Sequence, residues 1–140
     1  MQMRAYIQAG RYPEALELLA EMEEMSKEDK INKIESFLQI LLLHLIKQHA
    51  EKRTTASWDV SILGSLSNIR RVNKRRNAKG FYVTASQMEE LIDEAFPDAL
   101  RYSSLEAFEG RHDVKELSEL IDSQKIKKEA IQLIAENEGL

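Results

Sequence analysis

The 140-residue sequence contains no cysteine, only two prolines and one tryptophan, and no long apolar run. Without cysteine the chain cannot form disulfides, thiolate metal sites or a cysteine nucleophile, and this composition is typical of a reducing compartment. The longest unbroken apolar run, 40–43, is too short to cross a bilayer, and the first residues lack the apolar core of a signal peptide. We therefore expect a cytoplasmic protein that does not interact with a membrane.

Motifs that would indicate a particular chemistry are also absent. The sequence has no His-Glu-x-x-His element, phosphate loop, dinucleotide fingerprint or Gly-x-Ser-x-Gly element. His44 and His49 are five residues apart, so they point in different directions from a helix and cannot chelate one metal ion. The third histidine, His112, lies far along the chain. We expect no bound metal and no cofactor, and the sequence leaves open whether the protein is an enzyme.

Residues 27–53 are predicted to form a central helix around which the rest of the chain is organised. Apolar residues recur along it at helical spacing and form one broad stripe, consisting of Ile31, Ile34, Leu38, Leu41, Leu42, Leu45 and Ile46. Its other side carries three more apolar residues, Phe37, Ile40 and Leu43. Because a helix that is apolar on both sides belongs inside a protein, we expect this helix in the core, with Leu41, Leu42 and Leu45 fully buried.

Capping signals divide the first half of the chain into separate helices. Pro13 is suited to the first turn of a short helix, and Ser26 is predicted to be the N-cap of the central helix, with Asp29 completing a capping box. Beyond the central helix, a further helix is expected over 58–79.

The second half of the chain is predicted to add two or three helices. One begins after a capping box at Thr84–Gln87 and contains Pro97, which should kink or split it. The apolar residues of 126–134 do not continue the helical stripe formed by those of 114–121, so another break is expected near residues 122–123. No segment alternates with period two for long enough to form a strand. We therefore predict a single all-α domain over 1–140, a bundle of five to six helices.

Charge is distributed unevenly along the chain. Residues 41–80 carry nine lysines and arginines against two acidic residues, a balance of +7, whereas residues 81–140 carry six against fourteen, a balance of −8. Four basic residues of the predicted helix 58–79 share one arc, Arg70, Arg71, Lys74 and Arg75. Such an arc could bind an anion or nucleic acid. The simpler interpretation is a solvated face, partly paired with the acidic segment 89–94, because no aromatic residue interleaves the arc.

A second group of polar residues lies where the central helix meets the next one. The residues are His44, Lys47, Arg53 and Trp58, and they could line a polar cleft. A hydrolase or metalloenzyme would place its site near His44. The simpler interpretation is that His44 is a hydrogen-bonded structural residue and that Trp58 anchors the core.

With these residues identified, the chain resembles Domain of Unknown Function family 29, an all-helical family abundant in cyanobacteria. The likeness covers roughly residues 14–135 and is carried by five stretches, which are Leu41–Gln48, Arg53–Asp59, Ile69–Arg76, Met88–Ala95 and Ser104–Phe108. The resemblance implies an all-α fold and a bacterial cytoplasmic setting. It implies no activity, because the family has none assigned.

The leading hypothesis is a non-enzymatic domain that acts through protein–protein contacts. A homodimer would cover the second apolar side of the central helix. Nucleic-acid or anion binding through the helix 58–79 is the alternative, and an enzyme with a site near His44 ranks third.

Overall fold

The computed structural model describes residues 12–74 and 80–138, with side chains described from residue 27 onward. These residues form five α-helices and one short 3-10 helix, without a strand, so the predicted all-α bundle is confirmed. The elements in chain order are α1 (Tyr12–Glu51), α2 (Ala56–Asn73), α3 (Ala85–Glu106), the 3-10 helix Ala107–Gly110, α4 (Val114–Glu119) and α5 (Ser123–Glu138).

The four longer helices form an up-down-up-down bundle. Helix α2 follows α1 after a four-residue connection and runs antiparallel to it. Helix α3 runs parallel to α1. Ser103 contacts Leu43, and further along both helices Glu106 contacts Lys47, so the two residue numbers rise together. Helix α5 runs parallel to α2, and α4 is a short link between α3 and α5.

The core follows the apolar stripe of α1. Leu41, Leu42 and Leu45 are fully buried, as predicted, and they belong to a single cluster of buried residues contributed by every helix. The second side of α1 does not follow the prediction. Among the described residues, Phe37 and Leu43 are only half-buried and Ile40 is 43% exposed, so this side of α1 is only partly covered.

The predicted start of the central helix at residue 27 is wrong, because α1 runs without a break from Tyr12 to Glu51. Ser26 can cap a helix, but a capping residue does not by itself interrupt one. No glycine occurs in these 40 residues, and the single proline, Pro13, lies in the first turn, where it is tolerated. The helix therefore continues through Ser26 into a sequence rich in good helix formers.

The predicted helix 58–79 is also too long, because α2 ends at Asn73. The buried Asn73 amide donates to the Val83 carbonyl at 3.2 Å and accepts from the Val83 N–H at 2.7 Å. The Tyr82 N–H donates to the Asn73 carbonyl at 2.9 Å. These bonds turn the chain back, and Lys74 takes up an extended conformation paired with Phe81.

Helix α3 begins at the predicted capping box, in which the Thr84 side chain and Gln87 bond each other's backbone N–H groups. It then passes through Pro97 without being split. Buried residues flank the proline on both sides, Ile92 and Phe96 before it and Ala99 after it, and this packing holds the helix together where one backbone bond is lost. A break between α4 and α5 occurs at 120–122, close to its predicted position.

Candidate functional site

A cleft of about 430 Å³ lies at the end of the bundle where α1, α2 and α3 meet. Its lining residues are Lys47, Glu51, Arg53, Trp58, Glu106, Phe108, Glu109 and Arg111. Lys47 comes from the last turns of α1, Trp58 from the first turn of α2 and Glu106 from the end of α3. We call this site the Lys47 cleft. It brings together Lys47, Arg53 and Trp58, three of the four residues that the sequence groups as a polar cleft.

Lys47 is the most unusual side chain of the cleft, because it is charged and only 6% exposed. Its ammonium group donates to Glu106 Oε1 at 3.1 Å and lies 4.6 Å from the centre of the Trp58 ring. The guanidinium of Arg53 lies 4.8 Å from the same ring. A cation beside an indole ring gains about 0.5–2 kcal/mol, so Trp58 holds both cations at the cleft.

Trp58 itself is buried, as expected of an anchor, but it lies outside the main cluster of buried apolar residues. Its backbone N–H donates to Thr55 Oγ1 at 3.1 Å, and Thr55 is the N-cap of α2. The cap therefore fixes the first turn of α2 and with it the position of the tryptophan ring.

Glu51 connects two other residues that line the cleft, Arg53 and Phe108. One of its carboxylate oxygens accepts from Arg53 at 3.0 Å, and the other accepts from the Phe108 N–H at 3.2 Å. Phe108 and Glu109 both adopt the left-handed conformation, with φ of 52° and 58°. Such residues cost of order 1–3 kcal/mol each and persist where surrounding contacts hold them. The Glu51–Phe108 bond is one contact that holds this turn beside the cleft.

His44, the fourth residue of the sequence-based group, lies one turn before Lys47 on α1 and does not line the cleft. Its Nδ1 atom is buried and has no hydrogen-bond partner among the described residues, although the sequence favoured a hydrogen-bonded histidine. Burial lowers the pKa of His44, and the Lys47 ammonium lowers it further, while Glu106 acts in the opposite direction. Burial and Lys47 therefore both favour the neutral imidazole.

The other two histidines each have a carboxylate partner. His49 bonds the Glu129 carboxylate and so connects α1 to α5, and His112 contacts Glu116 at 3.4 Å within its own segment. Among the described residues, no three histidine or carboxylate side chains come together in a way that could hold a metal ion.

Four apolar side chains of α1 and α3 near the cleft are exposed or half-buried, namely Ile40, Leu43, Tyr102 and Leu105, and we call this set the α1–α3 face. Ser103 donates to the Leu43 carbonyl at 3.3 Å, which places the end of α3 alongside this part of α1. Leu105 is 71% exposed and Tyr102 is 45% exposed.

Helix α5 does not cover this face. His49, which contacts α5, follows Ile40 by nine residues. At about 100° per residue, that separation puts the two side chains on opposite sides of α1. Ile40 therefore points away from α5, and in the described part of the chain Ile40, Tyr102 and Leu105 are exposed.

The predicted basic arc is not one continuous helical surface. Arg70 and Arg71 are exposed on the last turn of α2, whereas Lys74 follows the end of the helix and Arg75 lies outside the described residues. Arg71 bonds Asn68 at 2.6 Å on its own helix. The expected pairing with the segment 89–94 is not seen among the described residues, where Asp93 pairs with Lys127 of α5 instead.

Sequence reasoning missed Glu51, Glu106 and Asn73. Asn73 had a detectable signal, because it continues the buried row of Ile62, Leu66 and Ile69 at helical spacing, and a polar residue on such a row needs partners. Glu106 had no such signal, because its contact with Lys47 depends on how α3 is aligned with α1.

Fold and site together define an all-α bundle with a charged cleft at one end and an apolar face beside it. The family model of the Domain of unknown function DUF29 matches residues 14–129, and the chain therefore belongs to this family. Comparison with curated proteins finds no match, and comparison with solved structures finds none either. In the described part of the chain, no helix combines the length and the apolar character needed to span a membrane.

Proposed function

We propose that this protein is a non-enzymatic helical domain that binds another protein through its α1–α3 face. The observation that carries the proposal is the exposure of Ile40, Tyr102 and Leu105 on two adjacent helices that α5 leaves uncovered. Large contiguous apolar patches on a protein surface mark interaction sites, whereas single apolar side chains scattered over it are normal, so the proposal requires these side chains to form one patch. Tyrosine is among the residue types that anchor protein interfaces.

The alternative of nucleic-acid binding receives less support. Its predicted surface required Arg70, Arg71, Lys74 and Arg75 on one helix, and α2 ends before the last two. An enzymatic role near His44 would require a partner that orients the imidazole, and its Nδ1 atom has none among the described residues. Binding to a protein needs neither feature. A bacterial cytoplasmic setting, which the family resemblance implies, is part of this proposal.

Site-specific photo-crosslinking in the native host tests the proposal. A photoreactive amino acid is introduced at Leu105 in one strain and at Val60 in a matched strain. Val60 is a suitable control because it is an apolar residue of α2 that is 68% exposed but not part of the α1–α3 face. We expect a crosslink to one defined protein from position 105 and none to that protein from position 60.

The crosslinked protein is then purified and its affinity measured. We expect Leu105→Ser to weaken binding about tenfold or more, because a buried leucine contributes about 1.5–3 kcal/mol, and Val60→Ser to leave it unchanged. A crosslink of the chain to itself at position 105 would identify the partner as a second copy and support the homodimer hypothesis. Equal crosslinking from both positions, or none from position 105, would contradict the proposal.

A further inference from the structure

The buried ammonium group of Lys47 has unused hydrogen-bonding capacity. A lysine carries three N–H donors. Among the described residues, the only hydrogen-bond acceptor of the Lys47 ammonium is Glu106 Oε1 at 3.1 Å, and its other close neighbour is the face of the Trp58 ring. Two N–H groups therefore remain for oxygen atoms that enter the cleft from outside the chain.

The two carboxylates nearest to Lys47 and Arg53 differ in how firmly they are held. Glu51 is only 11% exposed and already accepts from Arg53 and from the Phe108 N–H. The Glu106 side chain is 49% exposed, and among the described residues its only hydrogen-bonded partner is Lys47. Glu106 is consequently the counterion that an incoming anion can join or displace without disturbing the floor of the cleft.

The cleft also lies close to the α1–α3 face, because Glu106 follows Tyr102 by about one turn on the same side of α3 and Lys47 follows Ile40 by two helical turns on the same side of α1. A ligand that contacts the exposed Tyr102 side chain is thus about one helical turn from the Lys47 counterion. A single chain segment can reach both.

We propose that the Lys47 cleft receives an aspartate or glutamate side chain of the partner protein, next to the apolar residues with which that partner contacts the α1–α3 face. This inference rests on the proposed function and specifies the chemistry of the partner. A single carboxylate matches the two free donors of one ammonium group. A phosphate is the poorer match, because the guanidinium of Arg53, the group that would recognise it in a bidentate manner, is engaged by Glu51.

A random peptide library displayed on phage and selected on the immobilised full-length protein provides the probe. Enriched peptides are synthesised, and their affinities are measured by fluorescence anisotropy. We expect the enriched sequences to combine an acidic residue with leucine, isoleucine or an aromatic residue close by. Hydrogen bonds to charged groups contribute about 1.5–3 kcal/mol, so Lys47→Met should weaken binding by about tenfold or more.

Two further variants make the test specific. Glu106→Gln should strengthen peptide binding, because it removes the competing negative charge while the amide oxygen can still accept from Lys47. Lys127→Met is the matched control. Like Lys47, Lys127 pairs with one carboxylate, that of Asp93 at 3.0 Å, and lies over an aromatic ring, that of Phe96 at 5.0 Å. Unlike Lys47, it belongs to α5 and lies outside the cleft. Its replacement should leave the affinity unchanged.

The outcomes separate this inference from the proposed function. Peptides without an acidic preference that lose affinity in Leu105→Ser but not in Lys47→Met would support the face and overturn the cleft proposal. Acidic peptides that depend on Lys47 but not on Leu105 would support the cleft and contradict the face. No enrichment at all would contradict both. Should Lys47→Met fail to fold by circular dichroism, an unchanged or weaker affinity of Glu106→Gln would still overturn the inference.

Discussion

Replacing Asn73 with alanine should destabilise the protein far more than a polar-to-alanine change on a helix normally does. Asn73 is fully buried at the end of α2, and its side chain bonds both backbone groups of Val83 and donates to Glu138 Oε1 at 3.0 Å. These contacts attach the connection between α2 and α3 to the end of α5. Alanine cannot replace any of them.

The magnitude follows from the groups that lose their partners. Val83 is buried, so its N–H and its carbonyl would both be left unsatisfied. An unsatisfied buried donor or acceptor costs about 1–3 kcal/mol, which gives a loss of about 2–6 kcal/mol for the two groups. Since domains of this size are stable by only about 5–15 kcal/mol, Asn73→Ala should remove a large part of the free energy of unfolding.

Urea unfolding followed by the fluorescence of the single tryptophan, Trp58, and by circular dichroism measures this loss. Asn68→Ala is the control, because it makes the same change on the same helix, where alanine is also the better helix former. Asn68 bonds the exposed Arg71 side chain, so its replacement should change stability by less than about 1 kcal/mol. An Asn73→Ala variant as stable as Asn68→Ala would refute the reasoning that these bonds hold the connection.

Three further variants test the core, the buried histidine and the basic residues of α2. Leu42→Ala should lower the free energy of unfolding in urea by about 2–5 kcal/mol, because Leu42 is fully buried. The same change at the exposed Leu63 should lower it by well under about 1 kcal/mol. Equal losses in the two variants would contradict the placement of α1 in the core. Because burial lowers the folded-state pKa of His44 below its unfolded value, the folded state resists protonation, and stability should fall as pH drops through and below about 6.5. His44→Gln should reduce that pH dependence, and an identical pH profile would contradict this assignment. Replacing Arg70 and Arg71 with glutamine should change stability by less than about 1 kcal/mol. The wild type should show no salt-sensitive submicromolar binding to generic RNA or DNA. If such binding occurs and is reduced in the double variant, nucleic acid becomes the favoured ligand.

The helical core could be predicted because it depends on local periodicity. Leu41, Leu42 and Leu45 lie on one stripe in any regular helix, whatever the rest of the chain does, and that stripe is the buried one. Helix ends were less predictable. Ser26 offers a cap but nothing that stops the helix, and the end of α2 is determined by bonds from Asn73 to Val83, ten residues further along the chain.

The Lys47 cleft shows the same division between local and non-local information. Lys47, Arg53 and Trp58 are close in sequence and span the turn between α1 and α2, so their proximity could be inferred from a helical hairpin. Glu106 and the Phe108 turn reach the cleft only because α3 runs parallel to α1 in one particular register. The left-handed conformations of Lys52, Phe108 and Glu109 had no glycine to indicate them.

The expectation that α1 is buried on both sides was wrong in a way that bears on function. The sequence shows that Ile40 and Leu43 are apolar, but the number of helices that surround α1 decides whether they are covered. The described helices bury the side of α1 that faces α5 and cover the other side only in part, which leaves Ile40 exposed. Apolar side chains that the bundle does not need for its own core stay exposed unless another protein covers them, and Ile40 lies two helical turns from a buried lysine whose only hydrogen-bond acceptor among the described residues is Glu106.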